Sequence, residues 1–240
     1  MMAIETKNLI KKYKDKIAVN GIDLEIKEGE LFALLGVNGA GKTTTIKMLS
    51  GIILPTSGSI KIEDMDMKKD VFKIKEILNV SPQETAIAPN LTVKENLEFM
   101  AGVYQIKNKD QKINELIKQF KLDEVLNKKA KTLSGGWQRK VSIAISLIND
   151  PKILFLDEPT LGLDVIARKE LWKIIEGMKG EKTIILTTHY MEEAESLSDR
   201  IGIMANGNLI EVGTSKELIK KTKAKNFEDA FVEIVTGGEL

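Results

Sequence analysis

The feature that most constrains this chain is a glycine-rich segment between a continuous apolar run and a run with helical spacing. Residues 31–36 are apolar throughout, as in a buried central strand, and residues 42–51 have helical spacing that ends at Gly51. Between them, residues 36–43 (GVNGAGKT) fit the pattern G-x-x-x-x-G-K-[ST]. The pattern predicts a loop whose backbone N–H groups cradle phosphate oxygens at the start of a helix. The alternative, a chance glycine turn, is disfavoured by this strand–loop–helix context.

Composition excludes several other classes of protein. The 240 residues include no cysteine and one histidine, which excludes a disulfide scaffold, a thiolate metal site and a multi-histidine zinc site. Lys and Arg number 36 against 35 for Asp and Glu, and a net charge of +1 does not favour nucleic acid as a partner. No run reaches the roughly 18 apolar residues of a membrane helix, and the first residues contain no signal-peptide core. We therefore expect a soluble chain that reaches a membrane only through a partner.

The order of strand-like and helical runs predicts the fold class. Strand patterns cover 4–13, 16–26 (with a turn at Asn20-Gly21), 152–157 and 183–189, and most of 87–150 reads as helix. A hairpin turning at Asn206-Gly207 and a capping box from Thr214 to Glu217 follow. This order predicts an α/β fold of the P-loop NTPase type, with a mainly parallel central sheet and an added antiparallel β layer. We expect one domain over 1–240, with an inserted helical subdomain at about 87–150 and a short tail at about 214–240.

Chemistry is predicted at two places around the loop. Lys42 can reach the β and γ phosphates of a nucleotide, and the Thr43 hydroxyl can ligate Mg²⁺. The apolar run 153–156 ends in Asp157 and Glu158, and ligands of open α/β sheets bind at the carboxyl ends of strands. Asp157 suits the Mg²⁺ shell, and Glu158 is placed to orient or deprotonate water. The alternative is that these acids merely open the next loop.

A second anion site is predicted at Ser134-Gly135-Gly136, which opens another helix with Ser134 as its N-cap. An ordinary capped helix start is the alternative. A chain with one nucleotide loop and two anion sites suggests that the second site serves a nucleotide held by another copy.

Together, GVNGAGKTT, LSGG, ILFLDEP and TTH, in this order, resemble the ATP-binding cassette of ABC transporters over residues 4–213. The stretches 188–195 (THYMEEAE) and 226–231 (NFEDAF) resemble cassettes of the exporter type, which pair with separate membrane subunits. The resemblance implies that Tyr13 stacks on adenine, that Gln83 touches Mg²⁺, and that His189 hydrogen-bonds the γ-phosphate. It implies that Asp164 lies in the loop that crosses a dimer interface. It also implies that the nucleotide contacts Gly36, Asn38, Gly39, Ala40, Gly41, Lys42, Thr43 and Thr44. Without the resemblance, Tyr13 reads as a surface residue of a strand and His189 as a structural histidine.

The sequence departs from the family pattern at Trp137, where the usual residue after LSGG is glutamine, and at Leu161-Gly162-Leu163 before Asp164. The family implies an ATPase that drives transport through membrane permease subunits from the cytoplasmic face of the membrane. Two copies would enclose two MgATP head to tail, with catalysis by Glu158, His189, Lys42 and Gln83. The alternative function is a non-transport ABC ATPase, for example in cofactor assembly. The insert between Gln83 and Ser134 is too short for the chromosome-maintenance class.

Overall fold

The computed structural model describes residues 1–237, whose ten strands form two sheets. The antiparallel sheet contains β1 (Met2–Tyr13), β2 (Lys16–Lys27), β4 (Ser57–Ile62) and β5 (Met65–Asp66), in the order β2-β1-β4-β5. The central sheet contains β3 (Leu31–Leu35), β6 (Leu78–Ser81), β7 (Ile153–Asp157), β8 (Thr183–Thr188), β9 (Arg200–Ala205) and β10 (Asn208–Gly213). Its order is β10-β9-β3-β8-β7-β6, and every neighbouring pair except β9–β10 is parallel. The predicted combination of a mainly parallel central sheet and an antiparallel layer is confirmed.

Helices fill most of the connections between the strands. They are α1 (Lys42–Leu49), α2 (Val71–Ile77), α3 (Val93–Val103), α4 (Lys109–Phe120), α5 (Gly135–Ser146), α6 (Val165–Glu176), α7 (Met191–Leu197), α8 (Ser215–Thr222) and α9 (Phe227–Thr236). Helices α3, α4 and α5 lie between β6 and β7, where the sequence predicts a helical insert. The capping box at Thr214 and Glu217 is present and begins α8. Residues 238–240, the end of the predicted tail, lie outside the described residues. Within residues 1–237, no helix combines the length and apolar character needed to cross a bilayer.

The central sheet is buried on both faces, as its continuous apolar strands predict. Side chains alternate along β3, so Leu31, Ala33 and Leu35 join the core formed with helices of the insert and with α6 and α7. Phe32 and Leu34 join the second core, which includes α1 and the antiparallel sheet. The sheet thus separates two cores, and the segments that leave its carboxyl edge meet at one end of the molecule.

One local prediction is wrong. The sequence Asn20-Gly21 predicts a turn, but β2 runs through it without a break. The pairing register explains the difference, because Leu9 pairs with Ile22 and Lys11 pairs with Val19. Between these two pairs β2 contains one residue more than β1, and that extra residue forms a β-bulge. The reversal instead falls between β1 and β2, directly after Tyr13.

The hairpin β9–β10 turns at Asn206-Gly207, as predicted, with φ of 50° and 80°. The turn residue Gly207 is hydrogen-bonded to two other segments of the chain. The Gly207 N–H donates to the Ala40 carbonyl at 3.0 Å, and the Gly207 carbonyl accepts from the Asn20 N–H at 2.8 Å. A Cβ on Gly207 would lie 3.1 Å from the Ala18 carbonyl oxygen. The turn, the glycine-rich loop and the antiparallel sheet are therefore in contact at this residue.

Candidate active site

The glycine-rich loop connects β3 to α1. Gly41 immediately precedes α1 with φ of 105°, and a Cβ there would lie 2.5 Å from the carbonyl oxygen of Ala18, so only glycine fits. The N–H groups of residues 42–44 lie in the first helical turn and have no acceptor inside α1. The same helix end has a partial positive charge. The loop therefore presents N–H donors and positive potential, both suited to an anion.

A cavity of about 580 Å³ beside the loop contains most of the predicted site residues. Those that line it are Tyr13, Asn38, Gly39, Ala40, Gly41, Lys42, Thr43, Thr44, Gln83, Glu158 and His189. They come from the end of β1, the loop, the segment after β6 and the carboxyl ends of β7 and β8. Among the described residues, the predicted positions that do not line this cavity are Gly36, Ser134, Gly135, Gly136 and Asp157.

Glu158 is held between two other predicted residues. Its Oε1 lies 3.2 Å from Lys42 Nζ, and its Oε2 lies 2.8 Å from His189 Nδ1. Lys42 is 5% exposed and also donates to the Gly36 carbonyl at 2.7 Å. The main chain of Glu158 is also held in place, since its N–H donates to the Thr187 hydroxyl at 2.9 Å. Glu158 also has φ of 48°, a left-handed conformation that is uncommon for a non-glycine residue and frequent at functional sites.

Thr43 and Asp157 are arranged in a way that fits Mg²⁺. Thr43 Oγ1 lies 3.0 Å from Asp157 Oδ1, and the buried Asp157 carboxylate also accepts from Thr187 Oγ1 at 2.6 Å. These are hard oxygen donors beside the anion loop. Mg²⁺ is commonly held by one or two protein oxygens together with phosphate oxygens and water. The residues present therefore fit the metal that the sequence predicts.

Tyr13 and Gln83 line the cavity from two different parts of the chain. Tyr13 ends β1 with 47% of its surface exposed, and the Lys11 ammonium lies 5.1 Å from its ring centroid. Gln83 follows β6, and its side chain is exposed at the cavity. Both side chains are thus accessible to a molecule that occupies the cavity.

Sequence reasoning missed the buried Arg139, which connects the Gln83 segment to β7. Its guanidinium donates to the carbonyls of Asp157 at 2.7 Å, Pro159 at 2.9 Å and Gln83 at 3.3 Å, and also to the Pro82 carbonyl. Burial lowers the pKa of Arg139 from its ordinary value to about 10, so it stays protonated at neutral pH. The available signal was a charged residue in the sequence of α5, a helix in which all of residues 139–146, just over two turns, are buried.

Thr187 was also missed. It is fully buried near the end of β8, and its hydroxyl contacts both predicted carboxyl-bearing residues, Asp157 and Glu158. A threonine pair at the end of an otherwise aliphatic strand was the only sequence signal for it.

The predicted second anion site lies apart from this cavity. Ser134 occupies the N-cap position of α5, but its side chain makes no capping hydrogen bond, so the prediction of a side-chain cap is wrong. Ser134 is exposed. A Cβ on Gly135 would meet no atom within 4 Å, and one on Gly136 would meet Ala167 Cβ at 3.3 Å. Packing within the described chain therefore does not require a glycine at 135.

The departure from the family pattern at Trp137 is packed within the chain. Lys140 Nζ lies 4.5 Å from the Trp137 ring centroid, and the Trp137 ring packs against the core. The Gln138 amide donates to two carbonyls of the loop before α5, at 3.2 Å each. Asp164 caps α6, where its carboxylate accepts the N–H groups of residues 166 and 167 at 2.9 and 3.0 Å.

Comparison with known proteins gives consistent matches. A family model described as ABC transporter matches residues 19–161. The chain is 42% identical over 226 residues to human "Phospholipid-transporting ATPase ABCA3", covering 91% of this chain and 13% of that protein. It is 40% identical over 243 residues to "Probable multidrug ABC transporter ATP-binding protein YbhF" of Escherichia coli K12, covering 97% of this chain and 41% of that protein. The chain thus spans less than half the length of these curated relatives.

Among solved structures, the chain resembles one described as "Dimeric structure of a post-hydrolysis state of the ATP-binding cassette MJ0796 bound to ADP and Pi". The TM-score is 0.80 with 27% sequence identity, over 88% of this chain and 98% of that one. The shared fold places the glycine-rich loop, Asp157 and Glu158 on a framework that in that protein binds ADP and Pi.

Proposed function

The chain belongs to the ABC transporter family, and from this premise we propose that it is a subunit that binds and hydrolyses ATP to drive transport. The observation that carries the proposal is the position of Glu158 between Lys42 and His189, in the wall of a cavity formed by the glycine-rich loop. That arrangement combines donors for a polyphosphate with a carboxylate that can accept a proton from water.

The adenine and the phosphates of ATP each have a partner in the cavity. The Tyr13 ring takes the adenine by stacking, and the loop N–H groups with Lys42 take the phosphates. Lys42 is paired with Glu158 in this structure. When the triphosphate binds, the Lys42 ammonium exchanges the Glu158 carboxylate for phosphate oxygens as its ion-pair partner. Glu158 is then free to orient and deprotonate the attacking water, and His189 hydrogen-bonds the γ-phosphate.

Thr43, Asp157 and Gln83 would hold Mg²⁺, which when bound neutralises negative charge on the phosphates. Thr43 and Asp157 already lie within hydrogen-bonding distance of each other. The Thr187 hydroxyl donates a hydrogen bond to the Asp157 carboxylate and so fixes its position. Arg139 links the Gln83 segment to β7 by donating to the carbonyls of Gln83 and Asp157.

A second copy of the chain, or a homologous subunit, completes each site. Ser134, Gly135 and Gly136 lie outside the cavity, and the exposed hydroxyl of Ser134 and the open space at Gly135 leave room for another molecule. We propose a head-to-tail dimer in which these residues contact the nucleotide bound by the partner. Asp164 then lies near the interface.

The remaining proposals follow from the family. Residues 87–150, which contain α3, α4 and α5, act as the subdomain that transmits nucleotide-dependent motion to membrane permease subunits. The subunit sits at the cytoplasmic face of the membrane, and the direction of transport is export. No observation favours the non-transport alternative.

The test is Mg²⁺-dependent phosphate release from ATP by the purified chain, compared with Glu158→Gln. Glutamine keeps the size and hydrogen-bonding capacity of the side chain but cannot take a proton. We expect turnover that rises faster than linearly with protein concentration in the wild type. In the variant we expect a loss of at least about 100-fold with ATP still bound. Turnover by Glu158→Gln close to that of the wild type would refute the proposed role of Glu158.

A further inference from the structure

Glu193 is a buried carboxyl group that the proposed mechanism does not use. It lies in the first turn of α7, which starts two residues after His189, and its exposed fraction is 0%. Its Oε1 accepts from Thr160 Oγ1 at 2.8 Å and from Trp172 Nε1 at 2.9 Å. Its Oε2 has no hydrogen-bond partner within residues 1–237. A buried, half-satisfied carboxyl is destabilising compared with an apolar side chain, which indicates a role beyond packing.

One donor lies in the segment 158–164, and the other lies in the helix that follows it. Thr160 is buried two residues after Glu158, and Trp172 is in α6, the helix into which the segment leads. Successive turns make the segment rigid: the Leu161 N–H donates to the Glu158 carbonyl at 3.2 Å, and the Leu163 N–H donates to the Thr160 carbonyl at 3.1 Å. A displacement of Thr160 would therefore move the turn that carries Glu158.

The other end of the connection is His189. One oxygen atom of Glu193 joins α7, which follows His189, to the segment that carries Glu158. The contact between His189 Nδ1 and Glu158 Oε2, at 2.8 Å, also joins the part of the chain before α7 to the segment that carries Glu158. The Glu193–Thr160 hydrogen bond is a second, buried link beside it. The charged groups that act on Glu193 are Glu158, which disfavours its ionisation, and Arg139, which is itself affected by the charge of Glu193.

We propose that Glu193 is a positioning residue for hydrolysis: through Thr160 and Trp172 it fixes the 158–164 segment against α7, and so keeps the Glu158 carboxylate and the His189 ring in contact. The inference deepens the proposed function and rests on it. What Glu193 supplies is a hydrogen-bond acceptor at Oε1, which a glutamine amide oxygen also supplies and an alanine does not.

The first measurement is kinetic. Glu193→Ala should lower kcat by about 100-fold, the effect expected from a shift of about 1 Å between reacting groups, while the KM for ATP changes by less than about threefold. Glu193→Gln should stay within about threefold of the wild type. Glu192→Ala is the matched control, because Glu192 is the exposed neighbour on the same helix turn. If Glu193 had a purely structural role, Glu193→Ala would be less stable but its kcat per folded molecule would be unchanged. Urea unfolding followed by circular dichroism measures the stability and the folded fraction by which kcat is corrected. An unchanged corrected kcat would overturn the inference.

The second measurement needs no catalysis. His189 is the only histidine, so its ring NMR signals report on this contact without assignment. In nucleotide-free protein, Glu193→Ala should shift these signals in the same direction as Glu158→Gln, and Glu193→Gln should not. Identical signals in the wild type and Glu193→Ala, or an equal shift in Glu193→Gln, would overturn the inference. If the wild type hydrolyses no ATP, the proposed function fails, and the NMR arm still decides whether Glu193 holds His189 and Glu158 together.

Discussion

Replacing Arg139 by methionine tests the buried connection between the Gln83 segment and β7. Methionine keeps most of the side-chain volume but removes the donors to four backbone carbonyls. Two of these bonds, to Asp157 and Pro159, are buried, and a buried carbonyl left without a donor costs about 1–3 kcal/mol. Removing a desolvated charge, whose burial lowers the Arg139 pKa to about 10, offsets part of that loss. We therefore expect Arg139→Met to lower the free energy of unfolding by about 2–4 kcal/mol.

Urea unfolding followed by circular dichroism measures this change, with Arg168→Met as the matched control. Arg168 is partly exposed, and its guanidinium lies over the rings of Trp172 and Tyr190 at 5.9 and 5.2 Å. Losing these contacts should cost about 0.5–1 kcal/mol. If the two variants unfold at the same urea concentration with the same slope, the four carbonyl contacts of Arg139 do not contribute as the geometry suggests.

Three further predictions concern binding, assembly and pH. Ser134→Arg, in a Glu158→Gln background, should bind MgATP normally but remain monomeric in size-exclusion chromatography; a dimer would refute the role of Ser134 at the interface. Tyr13→Ala should raise the Kd for ATP about 5- to 150-fold and Tyr13→Phe should not, as measured by titration calorimetry. An equal loss with phenylalanine would assign the effect to the hydroxyl. Burial raises the pKa of Glu193 above its ordinary value of 4.5, so its contribution to stability is complete below that pH and is lost as pH rises through the folded-state pKa. Urea unfolding at pH 5 and pH 8 should therefore show Glu193→Gln gaining stability relative to the wild type at the higher pH, whereas parallel profiles would contradict the raised pKa.

The fold was predictable where the sequence pattern has one physical solution. Continuous apolar runs as short as 31–35 and 153–156, bounded by loop residues, favour strands buried on both faces, and in the structure they lie on either side of β8. At Asn20-Gly21 two solutions compete, since the same dipeptide suits a hairpin turn or a bulge. The partner strand decides between them, and the sequence alone does not specify its register.

In the candidate site, too, some residues were predictable from the sequence and others were not. The loop and the carboxylates were predictable because each lies within one short segment whose residue types suit one chemistry. Arg139 and Glu193 were not, because their partners lie elsewhere in the chain and become neighbours only when α5, α6 and α7 pack together. The left-handed backbone of Glu158 was equally hidden, since nothing in its residue type favours that conformation.

The contact between the Gly207 turn and Ala40 limits where this protein can be labelled or extended. Two-residue hairpin turns are ordinarily good places to insert a tag or a fluorophore, because loop tips tolerate added residues. Here an insertion would withdraw the N–H group that the Ala40 carbonyl accepts and would press on the strand at Ala18. A probe placed in this turn would therefore disturb the phosphate-binding segment, although it is attached far from that segment in the sequence.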